Sequence, residues 1–195
     1  FSISPSGAVG LWQFMPKTGE LFDLNKTWWD EGRHDPFKST NAAAEYFAYL
    51  LKRFDNDMIY ALISYNAGPS FLQKQLKKNS RRNQSTEYKS LNLSNQTQNY
   101  IPKFFAIREL ILNSEKYDLV LPDIPYKKVV KKVDLPGQVE IMSLAEYLQV
   151  EPSLIYRLNA GYTKWASAPS EKSSFFLPYE RALYLENNNE IFNEK

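Results

Sequence analysis

Apolar residues recur at helical spacing through the first part of the chain, and that pattern stops after Lys116. Ala43, Phe47, Leu50 and Phe54 fall at i, i+4, i+7 and i+11, one face of a helix for which Ser39-Thr40 offers an N-cap. Asp57 can cap a second helix carrying Met58, Leu62 and Tyr65 on one face, and Gly68-Pro69 ends it. Ser70 opens a short third helix through Leu72 and Leu76. The polar stretch 79–96 has no period and reads as a long surface loop. A further helix places Tyr100, Phe104, Ile107 and Ile111 on one stripe, with Pro102 tolerable only in its first turn. Residues 1–114 are therefore expected to be mainly α.

After Lys116 the text changes. "LVLPDIPYKKVVKKVDLPG" mixes three prolines with β-branched residues and lysines, which suits a linker followed by an edge strand, the lysines on its solvated side. "SLAEYLQV" and "PSLIYRLNAG" read as two short helices, with Leu144, Leu148, Leu154 and Leu158 as packing, and "SSFFLP" as a returning strand. The expected layout is a mainly α domain over 1–114, a linker over 115–126, a small β-α-α-β module over 127–180, and a tail over 181–195 that frays from Leu185.

Composition narrows the function. Aromatics make up 15% of the 195 residues, which suits a dense core or a groove for flat ligands such as sugar rings. A net charge of +2, with short basic runs only, gives no case for nucleic acid. Zero cysteines exclude a disulfide framework, and a single histidine, His34, argues against zinc and reads as a surface residue. No metal or cofactor is implied. No apolar run has the length of a membrane span. The chain begins at Phe1 without an initiator Met and reads as a piece of a longer protein.

Three short motifs stand out: "SGAVGLWQFMP" at 6–16, "SYNAG" at 64–68 and "QNYIPK" at 98–103. In the first, one amide, Gln13, sits among Trp12, Phe14 and Met15 behind two glycines. Taken alone it reads as an ordinary turn whose Gln13 is satisfied by backbone. Likewise Tyr65 alone is core, and Asn66-Ala-Gly a C-cap. Together, in this order and spacing, the motifs resemble the lysozyme-like catalytic domain of lytic transglycosylases, nearest to the membrane-bound lytic murein transglycosylase D group. "WWDEGRHDPFKSTNAAAEYFAYLLKRF" is similar to that group's connecting segment, and "VDLPGQVEIMSLAEYLQVEPSLIYRLNAGY" to a degenerate LysM-like region. The Gly-Asp turn typical of a LysM start is replaced here by Pro136-Gly137-Gln138.

The resemblance implies a truncated lysozyme-like fold, a peptidoglycan glycan strand as partner and a cleft lined by Gly10, Trp12, Gln13, Tyr65, Asn66 and Tyr100. Gly10 would let backbone approach a ligand, and Gln13 would hydrogen-bond an N-acetyl group. The Glu-Thr pair that the family often carries before the last tyrosine reads Gln96-Thr97 here. Trp28-Trp29 read as a lid on helix packing. The implied reaction cleaves the MurNAc-GlcNAc bond through one Glu, first acid and then base, closing the muramoyl C6 hydroxyl into a 1,6-anhydro end. That Glu is expected about six residues before Phe1, so none of Glu20, Glu31 or Glu45 is assigned the role and this chain alone is expected to be inactive. The implied setting is the bacterial envelope, in the periplasm, with room for outer-membrane anchoring of the parent. Two alternatives stand beside it: a non-catalytic glycan-binding or scaffold module, and a true hydrolase of peptidoglycan or chitin.

Overall fold

The computed structural model describes residues 2–188. The expected fraying beyond Asn188 lies outside the described residues. The chain forms α1 (Pro16–Glu20), α2 (Pro36–Arg53), α3 (Met58–Ala67), α4 (Pro69–Arg81), α5 (Asn95–Leu112), β1 (Val130–Pro136), α6 (Ile141–Tyr147), α7 (Pro152–Leu158), β2 (Lys172–Pro178) and α8 (Tyr179–Asn187). It is mainly α with a small α+β part, as the periodicity requires. By packing it divides into two compact units, one holding residues up to Ala43 together with those from Tyr126 on, the other Ala44–Pro125.

In the first unit, β1 and β2 pair antiparallel in the register Val133↔Phe175. Val133 and Leu135 alternate inward on β1, and Phe175 and Leu177 on β2. Ile141, Leu144, Leu148 and Ile155 from α6 and α7 close the core over them, while Leu154 and Leu158 are only half-buried. Ala182 and Leu185 of α8 complete the core, so the chain after Pro178 is a packed helix through Asn187 where the sequence suggests a tail. Asn159 ends α7 and ties it to the sheet. Its amide donates to the Ile155 and Phe176 carbonyls, and its oxygen accepts from the Phe176 N–H. Lys131 on β1 pairs with Glu186 of α8, so this lysine is not simply solvated.

Residues 27–37 pack on this module, which no sequence pattern announces. The Glu31 N–H donates to the Gly161 carbonyl at 2.7 Å, the Thr163 N–H to the Trp29 carbonyl at 2.8 Å, and Phe37 stacks on Phe176 at 3.8 Å. The tryptophans are not a lid on helices. Trp28 is 70% exposed with the Lys164 ammonium over its ring, and Trp29 meets Trp165 edge-on.

In the second unit Leu50, Phe54, Ala61, Ile63, Leu72 and Ile101 share one core. Asp57 caps α3, accepting from the Tyr60 N–H at 2.9 Å, and Gly68, at φ +92°, turns the chain into α4. The stretch 79–96 is less loop-like than its composition suggests. α4 runs to Arg81 with Asn79 buried, α5 starts at Asn95, and Leu91 and Leu93 between them are buried. Pro102 lies mid-helix in α5, not in its first turn. The expected stripe on α5 is core only at its start, for Ile107 and Ile111 are 58% and 54% exposed while Thr97 and Ile101 face inward.

α2 begins four residues before the Ser39-Thr40 cap read from sequence. The cap is Asp35, whose Oδ1 accepts from the Phe37 and Lys38 N–H groups, both at 2.9 Å. Ser39 and Thr40 instead donate back to the Asp35 and Pro36 carbonyls, an i−4 bond that keeps their hydroxyls inside the helix. Asp35→Ala should lower stability by about 0.5–2 kcal/mol, measured by urea unfolding. An unchanged midpoint would show that the cap contributes nothing.

Candidate functional site

The motif residues fall into two groups, one in each unit. In the first unit, residues 9–14 form a tight turn closed by the Val9↔Phe14 bridge, with Phe14 buried and Gln13 at φ +53°. The Gln13 side-chain amide donates to the Gly10 carbonyl at 2.8 Å and to the Ser2 carbonyl at 3.3 Å. Both donors thus serve the turn, and the Oε1 acceptor is what Gln13 can offer a ligand. Trp12 is fixed at its indole N–H, which donates to Thr40 Oγ1 at 2.8 Å. Gly10, at φ +82°, has a reason internal to the fold, since a Cβ there would lie 2.0 Å from the Arg33 carbonyl oxygen.

Arg33 holds the turn from beneath. Its Nη1 donates to the Gly7 and Phe14 carbonyls, each at 3.1 Å, while Nε and Nη2 grip the two oxygens of Glu31, each at 2.8 Å. The two side chains are only 6% and 5% exposed. Burial favours the neutral acid at Glu31, but the hydrogen bonds and charge of Arg33 outweigh it and hold the carboxyl below its ordinary pKa. His34 is half-buried instead of on the surface, and burial lowers its pKa. Asp30 is the acid pushed upward, by burial first. It sits where residues 27–31 bridge to Tyr162, whose phenol burial and the nearby Asp30 push up to about 12.

In the second unit, Tyr65 and Asn66 are adjacent near the end of α3. Tyr46 and Phe47 of α2 pack against the Tyr65 ring at centroid distances of 5.5 and 6.3 Å. Burial, with Tyr100 and Tyr46 alongside, raises the Tyr65 phenol far above the ordinary tyrosine value, and burial raises Tyr100 too. Both phenols stay protonated near neutrality and can serve as hydrogen-bond donors. Asn66 is oriented by Thr97, whose hydroxyl donates to Asn66 Oδ1 at 2.9 Å. Thr97 is itself set by Ser94, the N-cap of α5, which accepts from the Thr97 N–H at 3.2 Å. With Oδ1 engaged, the NH2 group is the polar end that Asn66 can offer a hydrogen-bond acceptor. Thr97 is the residue whose role sequence reasoning missed. Its signal was the Ser94-x-x-Thr97 spacing at a helix start.

Comparison with known proteins follows the same residues. Gly10, Trp12, Gln13, Tyr65 and Asn66 all lie within 1–88, the span matched by the transglycosylase SLT domain family. Residues 1–88 are a transglycosylase SLT domain. Over 169 residues, 85% of its length, the chain is 33% identical to the membrane-bound lytic murein transglycosylase D of Escherichia coli strain K12, and equally to that of a second Escherichia coli strain. It spans 37% of the length of those relatives. No helix among the described residues is long and apolar enough to cross a membrane.

Two outcomes follow from the buried pair. Arg33→Met should cost about 3–5 kcal/mol, because it leaves the Glu31 carboxylate buried without its partner. Thermal melts should show Glu31→Leu/Arg33→Met recovering much of that loss, and a double variant no better than the single would contradict the pairing. Acid should also destabilise the fold. The lowered Glu31 contributes stability above its ordinary 4.5, lost as pH falls through its folded value, and the lowered His34 adds a loss below 6.5 in the same direction. Urea midpoints flat from pH 7 to acid, within about a pKa unit of these values, would contradict this.

Proposed function

We propose that this chain is part of a peptidoglycan lytic transglycosylase of the bacterial cell envelope, cleaving the MurNAc-GlcNAc bond and leaving 1,6-anhydro-muramoyl ends. The observation that carries the reading is the SLT domain over residues 1–88, with Gln13, Tyr65 and Asn66 inside it. The proposed glycan-binding residues are Gly10, Trp12 and Gln13 of the first unit and Tyr65, Asn66 and Tyr100 of the second. Gln13 accepts from an N-acetyl N–H, Asn66 and the phenols donate to sugar oxygens, and Trp12 supports a ring. No metal or cofactor enters.

The general acid is proposed to come from sequence outside these 195 residues. A general acid needs a raised pKa. Glu31 is displaced the wrong way and clasped by Arg33, while Glu20 and Glu45 are exposed. Asp30 is raised but lies against the 161–163 segment. The proposed functional division is a catalytic domain over 1–114, a linker over 115–126 and a LysM-like module over 127–180 whose core α8 completes, so that 181–187 are not proposed as a tail. The β1-α6-α7-β2 order supports the LysM-like reading. A periplasmic location with outer-membrane anchoring of the parent is part of the same proposal, in keeping with the name of the Escherichia coli relatives.

Product chemistry tests it. The protein extended upstream should release muropeptides with 1,6-anhydro ends, read by mass spectrometry, and Asn66→Ala should slow release about a hundredfold. Reducing ends would assign a hydrolase. Binding without any release would assign the glycan-binding module instead.

A further inference from the structure

The face of α4 that turns away from the core has no use in the site above. Lys74, Lys77, Lys78 and Arg81 fall at i, i+3, i+4 and i+7, one stripe about 10 Å long at 1.5 Å per residue. Arg82 follows at the C-cap. All five are exposed, while Leu72 and Asn79 on the other side are buried. From Met58 to Thr86 there is no Asp or Glu at all. Among the described residues none of the five forms an ion pair. The chain's net charge is only +2, so the stripe stands against a remainder that is net acidic.

Structure alone does not account for it. Cations in the last turn favour the helix dipole, but Lys74 lies mid-helix, and like charges at i, i+4 destabilise a helix. Beside the stripe lie two shallow grooves. One, of about 540 Å³, is walled by Lys77 and Arg81 over Tyr60, Leu76, Ser80 and Thr86. The other, of about 290 Å³, is framed by the five cations themselves.

We infer that this stripe docks the protein on an anionic phospholipid surface. Long cationic side chains in a row along the exposed side of an amphipathic helix match a two-dimensional array of phosphates. No aromatic residue alternates with the cations along α4, and Tyr60 in the neighbouring groove is half-buried with its hydroxyl donated to the Thr86 carbonyl, so no row of rings is set out to stack successive bases as a single-stranded nucleic acid site would need. None of the large exposed apolar side chains lies on α4, so nothing inserts and the contact is electrostatic. The inference is independent of the transglycosylase reading and stands or falls without it.

Vesicle co-sedimentation of the 195-residue chain tests it. Phosphatidylglycerol-containing vesicles should bind the protein at low salt and pure phosphatidylcholine vesicles should not. Binding should vanish in salt that shortens the Debye length to about 3 Å. Each charge neutralised among Lys74→Gln, Lys77→Gln, Lys78→Gln and Arg81→Gln should weaken partitioning about fivefold. The quadruple variant should melt like the parent, because all four side chains are exposed. Lys127→Gln/Lys128→Gln should bind as the parent does. The inference is overturned if anionic vesicles fail to bind, if the quadruple variant binds equally well, or if purified peptidoglycan or single-stranded DNA at equal anion concentration binds the stripe more tightly than the vesicles.

Discussion

The buried Glu31–Arg33 pair is the constraint on which the first unit depends. One guanidinium satisfies a carboxylate with two of its nitrogens and two backbone carbonyls, Gly7 and Phe14, with the third. Those carbonyls belong to the two ends of the segment carrying Gln13. The same loop presses its Arg33 carbonyl against Gly10, which is why no side chain fits there. Burying an ion pair is costly unless every polar atom is satisfied, and this pair meets that condition by tying loop 31–33 to the turn. The gain is a turn that holds its shape without a ligand, the pre-organisation that the proposed glycan contact needs.

The second unit reaches the same end with neutral groups. Ser94 caps α5, its oxygen positions Thr97, and Thr97 takes the oxygen of Asn66. A helix cap and an amide orientation are thus one hydrogen-bond chain. Tyr65 is held by the rings of Tyr46 and Phe47, and its phenol is kept protonated by burial. In both units a side chain proposed to touch glycan has one polar end spent on the scaffold and the other end left to use.

Sequence reading recovered what periodicity and local chemistry encode. Asp57 as a cap, Gly68 as a break and the β-α-α-β order could all be read from neighbouring residues. The misses come from side-chain choices that apolar periodicity does not encode, most of them local and one between partners distant in sequence. Asp35 outcompeted Ser39 and Thr40 because their hydroxyls bond backwards into the helix. Ile107 and Ile111 match a core stripe, yet Thr97 and Ile101 take the inward face of α5. Glu31 looks like an ordinary charge until Arg33 folds over it, and nothing local says that Trp29 will meet Trp165. Gln13 shows the bland half of its motif's reading, its donors satisfied by backbone as in any turn, and its acceptor carries the proposed contact with a ligand.

The central claim is that Gln13 and Asn66, each oriented by the scaffold of its own unit, have one polar end left for the proposed glycan contact. A titration of the isotopically labelled protein with a chitin oligosaccharide, followed through side-chain amide NMR signals, tests it most directly. The account predicts that the Gln13 and Asn66 amide resonances both shift, and that Thr97→Val weakens the Asn66 response. An amide of Gln13 or Asn66 that stays unmoved at saturating oligosaccharide would contradict it.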